Sequence, residues 1–176
     1  MGLDAIRAAL PPYATDIELN LGSIGATATL TPVQSWGTAL ACAVAARNPV
    51  VLREIAADAA GHLTPEGLEA ARAAAARMAM TNVYHRATHL MGDGQYAAMP
   101  ARLRMRIVAR PGVDKGDFKL WCLGVSAIFG CGVCLESHEK ALRGRGFTRE
   151  QVLDALRISA VVHAAAVTLD AEAALA

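Results

Sequence analysis

The chain has 176 residues, of which 54% are hydrophobic, 19% charged and 5% aromatic, and its formal net charge is +1. This length fits a single domain over residues 1–176, and the absence of a basic stripe interleaved with aromatic residues argues against a nucleic-acid partner. The sequence has neither a run of 18 apolar residues nor the regions of a signal peptide, so we expect no membrane span and a cytoplasmic location.

The 38 alanines favour closely packed helices, and β-branched and aromatic residues are too scattered for a large sheet. We therefore predict an all-α, compact multi-helix bundle. Thr31 and Thr64 each precede a proline and are predicted N-caps, and Thr148 begins a capping box. The predicted helices are 3–10, 13–25, 32–46, 49–60, 65–90, 99–108, 115–129, 131–144 and 148–174, the last of them broken. Loops are predicted at residues 92–96 and 111–116.

The chain also repeats itself weakly at an offset of 85 residues. This shift aligns Trp36 with Trp121, Gly61 with Gly146 and Arg72 with Arg157, among other matches. A constant offset indicates a duplicated helical unit. Cys131, Cys134 and His138 fall opposite Ala46, Pro49 and Arg53, so only the second copy would carry thiol chemistry.

The motif Cys131-Gly-Val-Cys134 with His138 is the strongest functional signal in the chain. Thiols three residues apart in a helix lie within the roughly 4.4–6.8 Å Cα separation of a disulfide, and His138 falls on the same face. Gly130 is expected to end the preceding helix and to place Cys131 at a helix N-terminus, where the dipole favours a thiolate. His138 could instead accept the proton of Cys134. The sequence does not decide which cysteine attacks first.

Other readings of this motif are a pair of buried structural cysteines, a zinc site and a thioredoxin-like site. Cys131, Cys134 and His138 would supply three zinc ligands, but the sequence offers no evident fourth, and we expect no metal. His85 and His89 are expected to be surface or interhelical residues. A thioredoxin-like motif follows a β-strand, whereas the apolar spacing before Cys131 is helical. We expect the remaining cysteines and the tryptophans to pack in the core: Cys42, Cys122, Trp36 and Trp121.

Beyond this motif, the whole chain resembles a known family. The resemblance is carried by the run from Ala9 to Leu21, Trp36-Gly-Thr, Arg47-Asn-Pro, Leu103-Arg-Met-Arg-Ile, and the stretch from Leu120-Trp through Val125-Ser-Ala-Ile to Cys131-x-x-Cys134-Leu and His138-Glu. These segments are similar to those of the alkylhydroperoxidase D family, in the carboxymuconolactone decarboxylase-like superfamily.

The resemblance implies an all-α enzyme, commonly a homotrimer, that reduces organic hydroperoxides beside the peroxiredoxin alkylhydroperoxide reductase C (AhpC). It implies Cys134 as the peroxide-attacking residue that becomes a sulfenic acid, Cys131 as the residue that resolves it to a disulfide, and His138 as part of a proton relay. No cofactor is expected to be bound. Electrons would come from dihydrolipoamide on the lipoylated acyltransferase of a 2-oxo acid dehydrogenase.

The chain departs from the family pattern at two positions. The relay glutamate, twelve residues before the first cysteine, is Lys119 here, and a histidine between the cysteines is Val133. A lysine is already protonated at neutral pH and cannot accept a proton, although its charge could stabilise a thiolate. Besides a peroxidase, the sequence therefore permits a dithiol–disulfide adaptor that passes electrons from lipoyl domains to a peroxiredoxin. A non-redox ring-opening or decarboxylating enzyme is a third hypothesis.

Overall fold

The computed structural model describes residues 2–176, and within them the chain forms helices and no β-strand. This confirms the prediction of an all-α bundle. Nine α-helices and two short 3₁₀ segments, Pro12–Ala14 and Arg106–Val108, lie in this part of the chain. The α-helices are α1 Leu3–Ala9, α2 Thr15–Leu21, α3 Pro32–Ala46, α4 Pro49–Ala59, α5 Pro65–Leu90, α6 Gly94–Ala98, α7 Lys115–Ile128, α8 Gly132–Arg143 and α9 Arg149–Leu175.

The three predicted threonine caps are confirmed. The hydroxyls of Thr31, Thr64 and Thr148 each accept a hydrogen bond from the backbone N–H three residues later, at 3.2, 3.1 and 3.2 Å. These bonds satisfy backbone donors that the first helical turn leaves without an intrahelical partner. They fix the starts of α3, α5 and α9, the longest helices of the bundle.

The prediction of a helix over residues 99–108 is wrong. Met99 precedes Pro100 and adopts an extended conformation (φ −74°, ψ 143°), because a following proline disfavours the helical region. Arg102 has a positive φ of 52°, which also interrupts a helix. The short helix α6 instead occupies part of the predicted 92–96 loop, and the Asp93 carboxylate caps it by accepting a hydrogen bond from the Gln95 backbone N–H at 2.9 Å.

Two other predicted helices differ from the structure beyond one residue at an end, one in its bounds and one in its continuity. The predicted helix 13–25 begins as a 3₁₀ turn, and its α-helical part ends at Leu21, before Gly22 and Gly25. The last helix is continuous because residues 149–175 contain neither glycine nor proline. By length and composition α9 could cross a membrane, with a mean hydropathy of 1.6 over its best 18 residues. However, 56% of that window is buried, and α9 packs against α3 and α7.

The centre of the bundle is the pair α3 and α7, which pack against each other and against both long helices, α5 and α9. Trp121 is fully buried in this core, and Trp36 is 6% exposed, as expected for core residues. The close approach of α3 to α7 depends on Gly37, because its missing side chain leaves room for the indole ring of Trp121. This contact holds α7, the helix that leads into the cysteine motif, against the core.

The helices support the inferred duplication. Adding 85 to the bounds of α3, α4 and α5 gives 117–131, 134–144 and 150–175, which fall within three residues of α7, α8 and α9. The packing follows the same symmetry, since α3 contacts α9 and α7 contacts α5. Six of the nine helices in the described part of the chain therefore form two three-helix units.

Replacing Gly37 with alanine is expected to destabilise the bundle. A Cβ at this position would overlap the Trp121 ring, and overpacking of a core typically costs about 1–3 kcal/mol. Urea unfolding at a fixed protein concentration measures the effect. Gly94→Ala is the matched control, because a Cβ there meets no atom within 4 Å. Equal free energies of unfolding for the two variants would contradict the role given to Gly37.

Candidate active site

The junction between α7 and α8 determines where the cysteines lie. Gly130 follows the last residues of α7 with a positive φ of 63°, a conformation that favours glycine. The backbone N–H of Gly130 donates to the Ala127 carbonyl and that of Cys131 donates to the Ser126 carbonyl, both at 3.1 Å. This pair of bonds is a Schellman motif. Gly130 thus ends α7 as predicted, and Cys131 becomes the N-cap residue of α8.

Side chains of α5 contact the junction between α7 and α8. The Arg86 guanidinium donates a hydrogen bond to the Phe129 carbonyl. The Ser126 hydroxyl is buried, donates to the Cys122 carbonyl at 2.8 Å and lies 3.2 Å from Oδ1 of Asn82. Because these contacts join α5 to the end of α7, the cysteine motif is anchored to the long helix beside it.

The structure brings both cysteines and the histidine together beside one cavity. Cys131 is fully buried, whereas Cys134 is 6% exposed and His138 is 7% exposed. Cys134 and His138 line a cavity of about 190 Å³, together with Val133 and Ser137 of α8 and four residues of α5: Arg77, Met78, Thr81 and His85. Both cysteines are free thiols, and the backbone N–H of Cys134 donates to the Cys131 carbonyl at 3.1 Å. Cys134 therefore faces the cavity, and Cys131 lies behind it.

Burial suppresses ionisation of the Cys134 thiol. Loss of solvation raises its pKa to about 12, and the neighbouring Cys131 side chain acts in the same direction. The positive charge of Arg77 lowers the pKa of Cys134 and so opposes these effects.

Burial also keeps His138 neutral. Loss of solvation, followed by the positive charges of Arg77 and Lys119, lowers the pKa of this imidazole to about 4. His138 is thus in the form that accepts a proton, but it is a weak base. Transfer of the Cys134 proton to His138 is strongly uphill in the resting protein, so the neutral thiol–imidazole pair is the resting state.

Lys119 lies close enough to influence this site. It is half-buried on α7, lines a small neighbouring cavity with Arg77, and its charge lowers the pKa values of His138 and Cys122. At the position where the resembling family has a glutamate, this chain therefore places a positive charge that makes His138 less basic. Val133, the second departure, lines the cavity and contributes no titratable group.

Arg77 is the residue of the site that the sequence analysis missed. It lies 57 residues before Cys134, on a different helix, and belongs to no recognisable motif. A signal was nevertheless present, because Arg77 is the one charged residue in the stretch 73–84, which is otherwise rich in alanine and methionine. An isolated charge next to a buried helix face indicates a buried partner or a site.

The other singled-out residues lie largely where they were expected. Cys42 and Cys122 are buried, and burial raises their pKa values to about 12 and about 11. His89 is exposed and lines a neighbouring cavity, whereas half-buried His85 lines the cavity of Cys134 as well. Within residues 2–176, no group of three or more His, Cys, Asp or Glu side chains is arranged to hold a metal ion.

Known proteins resemble the chain over its full length. Residues 94–176 match the carboxymuconolactone decarboxylase family. A protein of Rhodospirillum centenum named alkyl hydroperoxide reductase AhpD is 53% identical, covering 99% of this chain and 94% of the relative. Proteins of the same name from Streptomyces coelicolor and Hyphomonas neptunium are each 52% identical, covering 100% of this chain and 99% and 98% of the relatives. The chain therefore belongs to the AhpD family of alkyl hydroperoxide reductases.

Proposed function

We propose that this protein is a thiol-dependent peroxidase that reduces organic hydroperoxides through Cys131 and Cys134. The observation that carries the proposal is the placement of the two thiols. Cys134 lines a cavity that a small peroxide can enter, and Cys131, one helical turn earlier, is fully buried and close enough to affect the pKa of the Cys134 thiol. This arrangement suits attack by one thiol and resolution by the other.

In the proposed reaction, the Cys134 thiolate attacks the terminal oxygen of the hydroperoxide. A sulfur–oxygen bond forms, the oxygen–oxygen bond breaks, and the products are a sulfenic acid and an alkoxide, which takes up a proton to become an alcohol. The Cys131 thiolate then attacks the sulfenic sulfur, forms the disulfide and releases hydroxide, which is protonated to water. The peroxide gains two electrons, and the two thiols lose them.

His138 acts in this scheme as a proton relay. It lines the cavity beside Cys134 and is neutral at physiological pH, so it accepts a proton from the thiol and returns it to the departing oxygen. Its low pKa makes it a strong acid once it is protonated and a weak base before. The proposed relay therefore favours donation of the proton to the departing oxygen over removal of the proton from the Cys134 thiol.

The proposal includes the route by which the disulfide is reduced again. Dihydrolipoamide, carried on a lipoylated acyltransferase, would exchange with the Cys131–Cys134 disulfide and become oxidised lipoamide while both thiols are restored. By family membership the protein would act in the cytoplasm, as a homotrimer and beside a peroxiredoxin, in antioxidant defence. This support comes from the family resemblance and the full-length relatives rather than from the geometry of the site.

A dithiol–disulfide adaptor with little peroxidase activity is the second candidate. Two observations favour it: Lys119 replaces the relay glutamate, and the pKa values of Cys134 and His138 oppose proton transfer in the resting site. Such an adaptor would exchange disulfides between lipoyl domains and a peroxiredoxin without consuming peroxide. A non-redox enzyme of the superfamily needs no thiol pair, so its activity would survive Cys134→Ser.

Treatment with cumene hydroperoxide is expected to oxidise Cys131 and Cys134 to a disulfide and to leave Cys42 and Cys122 reduced. Stopped-flow kinetics and mass spectrometry of alkylated thiols measure this reaction. Cys134→Ser should abolish it, whereas Cys131→Ser should stop at a sulfenic acid that dimedone traps. A wild-type protein that retains all four thiols after peroxide treatment would refute the peroxidase and leave the adaptor.

Lys119→Glu is expected to raise the rate of peroxide reduction. It restores a proton acceptor and removes a charge that weakens His138 as a base, and general acid–base assistance is typically worth roughly 10²–10⁴-fold. We expect at least about a tenfold increase in single-turnover rate. Lys140→Glu, an exposed reversal of the same charge on α8, should leave the rate unchanged. Equal rates for Lys119→Glu and wild type would show that this departure does not limit the reaction.

Buried, neutral His138 is expected to make stability depend on pH. As the pH falls from about 6.5 to about 4, the unfolded chain binds a proton at this histidine and the folded protein does not, so stability falls. One such group changes the free energy of unfolding by at most about 1.4 kcal/mol per pH unit. Urea unfolding at several pH values in this range should show a weaker pH dependence of the free energy of unfolding for His138→Gln than for wild type. His163→Gln controls for loss of an exposed histidine, and identical slopes for both variants would contradict the prediction.

A further inference from the structure

Sulfur atoms are the hydrogen-bond acceptors that hold the guanidinium of Arg77. Its Nη1 lies 3.2 Å from Sδ of Met78 and 3.4 Å from Sγ of Cys122, and its Nη2 lies 4.0 Å from Sδ of Met105. Thioether and thiol sulfurs are weak acceptors. The Nε of Arg77 is buried and has no hydrogen-bond partner among the described residues. Within the described residues, Arg77 thus pairs only with weak acceptors, and its Nε is left without a partner.

No carboxylate balances this charge at the cavity. The residues lining it include no aspartate or glutamate, and none of the ion pairs found within residues 2–176 involves Arg77. Glu139 of α8 pairs with Arg143 instead. The titratable and charged groups around Cys134 are Cys131 and His138 on its own helix, Arg77 and His85 on α5, and Lys119 and Cys122 on α7. The cavity lining therefore carries a positive charge without a neighbouring carboxylate, which suits an anionic ligand.

We propose that Arg77 is a catalytic residue of this site, whose guanidinium binds the Cys134 thiolate and then the oxygen anion that leaves the peroxide. The inference rests on the peroxidase proposed above. In the attack on the hydroperoxide, negative charge moves from the Cys134 sulfur to the departing alkoxide oxygen. Arg77 stays beside both atoms while the sulfur–oxygen bond forms and the oxygen–oxygen bond breaks, and the alkoxide then takes up a proton.

Arg77 suits this role better than the other groups at the cavity. An arginine keeps its charge at every relevant pH and has several donors in a fixed plane, so it can contact sulfur and oxygen together. His138 is neutral in the resting site, so it supplies no positive charge there unless it first takes a proton. Lys119 affects the pKa values of His138 and Cys122, whereas Arg77 lowers that of Cys134 itself. The site thus stabilises the thiolate by charge where the family glutamate is missing.

The test compares alkylation of Cys134 by iodoacetamide, which is neutral, and by iodoacetate, which is anionic. Fragment-ion mass spectrometry assigns the label to Cys134, and rates are measured across a pH series in wild type, Arg77→Met, Arg77→Gln and Arg77→Lys. A fixed positive charge at the cavity favours the anionic reagent. We expect the iodoacetate-to-iodoacetamide rate ratio to fall roughly tenfold in the Met and Gln variants and to be largely kept in the Lys variant.

The same measurement reports thiolate formation. The midpoint of the iodoacetamide pH profile should move to higher pH in Arg77→Met and Arg77→Gln, because the thiolate loses its cation. Removing Arg77 also makes His138 more basic, which would move the midpoint to lower pH if His138 controlled ionisation. Arg72→Met, an exposed arginine of the same helix, is the matched control and should change neither quantity. An unchanged or lowered midpoint, or an unchanged ratio, would overturn the proposal.

Alkylation consumes no peroxide, so it separates this inference from the proposed function. If alkylation changes as expected in the Arg77 variants but peroxide does not oxidise the wild type, the anion site stands and the peroxidase is refuted. If peroxide converts the wild type to the disulfide but the Arg77 substitutions leave alkylation unchanged, the peroxidase stands and the role of Arg77 is refuted. Circular dichroism of each variant confirms that the helices are retained.

Discussion

The site depends on how α7 ends. Gly130 adopts a left-handed conformation, and the resulting Schellman motif ends α7 and turns the chain so that Cys131 becomes the N-cap of α8. A side chain at position 130 would be strained there, and continuation of α7 would carry both cysteines away from α5. The reaction proposed for this protein needs two sulfur atoms beside one cavity, and this single backbone turn provides them.

The burial of the site also makes the Cys134 thiol unreactive. Removing water raises the pKa of Cys134 and lowers that of His138, so the neutral forms of both groups are favoured. A buried site can restore reactivity with a base or with a fixed opposite charge. This chain has Lys119 where the family pattern has glutamate, which weakens the first means, and Arg77 on the cavity wall offers the second.

Much of this arrangement follows from local sequence. The threonine caps, the glycine at position 130 and the spacing of Cys131, Cys134 and His138 act within one or two helical turns, and all were predicted where the structure has them. The errors are of two kinds. The helix expected over 99–108 fails because Pro100 constrains its neighbour. Arg77 was missed because its proximity to Cys134 arises from packing between α5 and α8, which no local spacing encodes.

The duplication explains how such a site can arise from helices far apart in sequence. Cys131, Cys134 and His138 belong to the second three-helix unit, whereas Arg77, Thr81 and His85 belong to the last helix of the first. At the same offset, Arg77 corresponds to Val162, a fully buried residue of α9. One unit therefore has the thiols and an apolar residue at the position equivalent to Arg77, while the other has this cation and lacks the thiols. Because α5 packs against both α7 and α8, the two differences meet at one cavity, and neither unit alone contains the complete site.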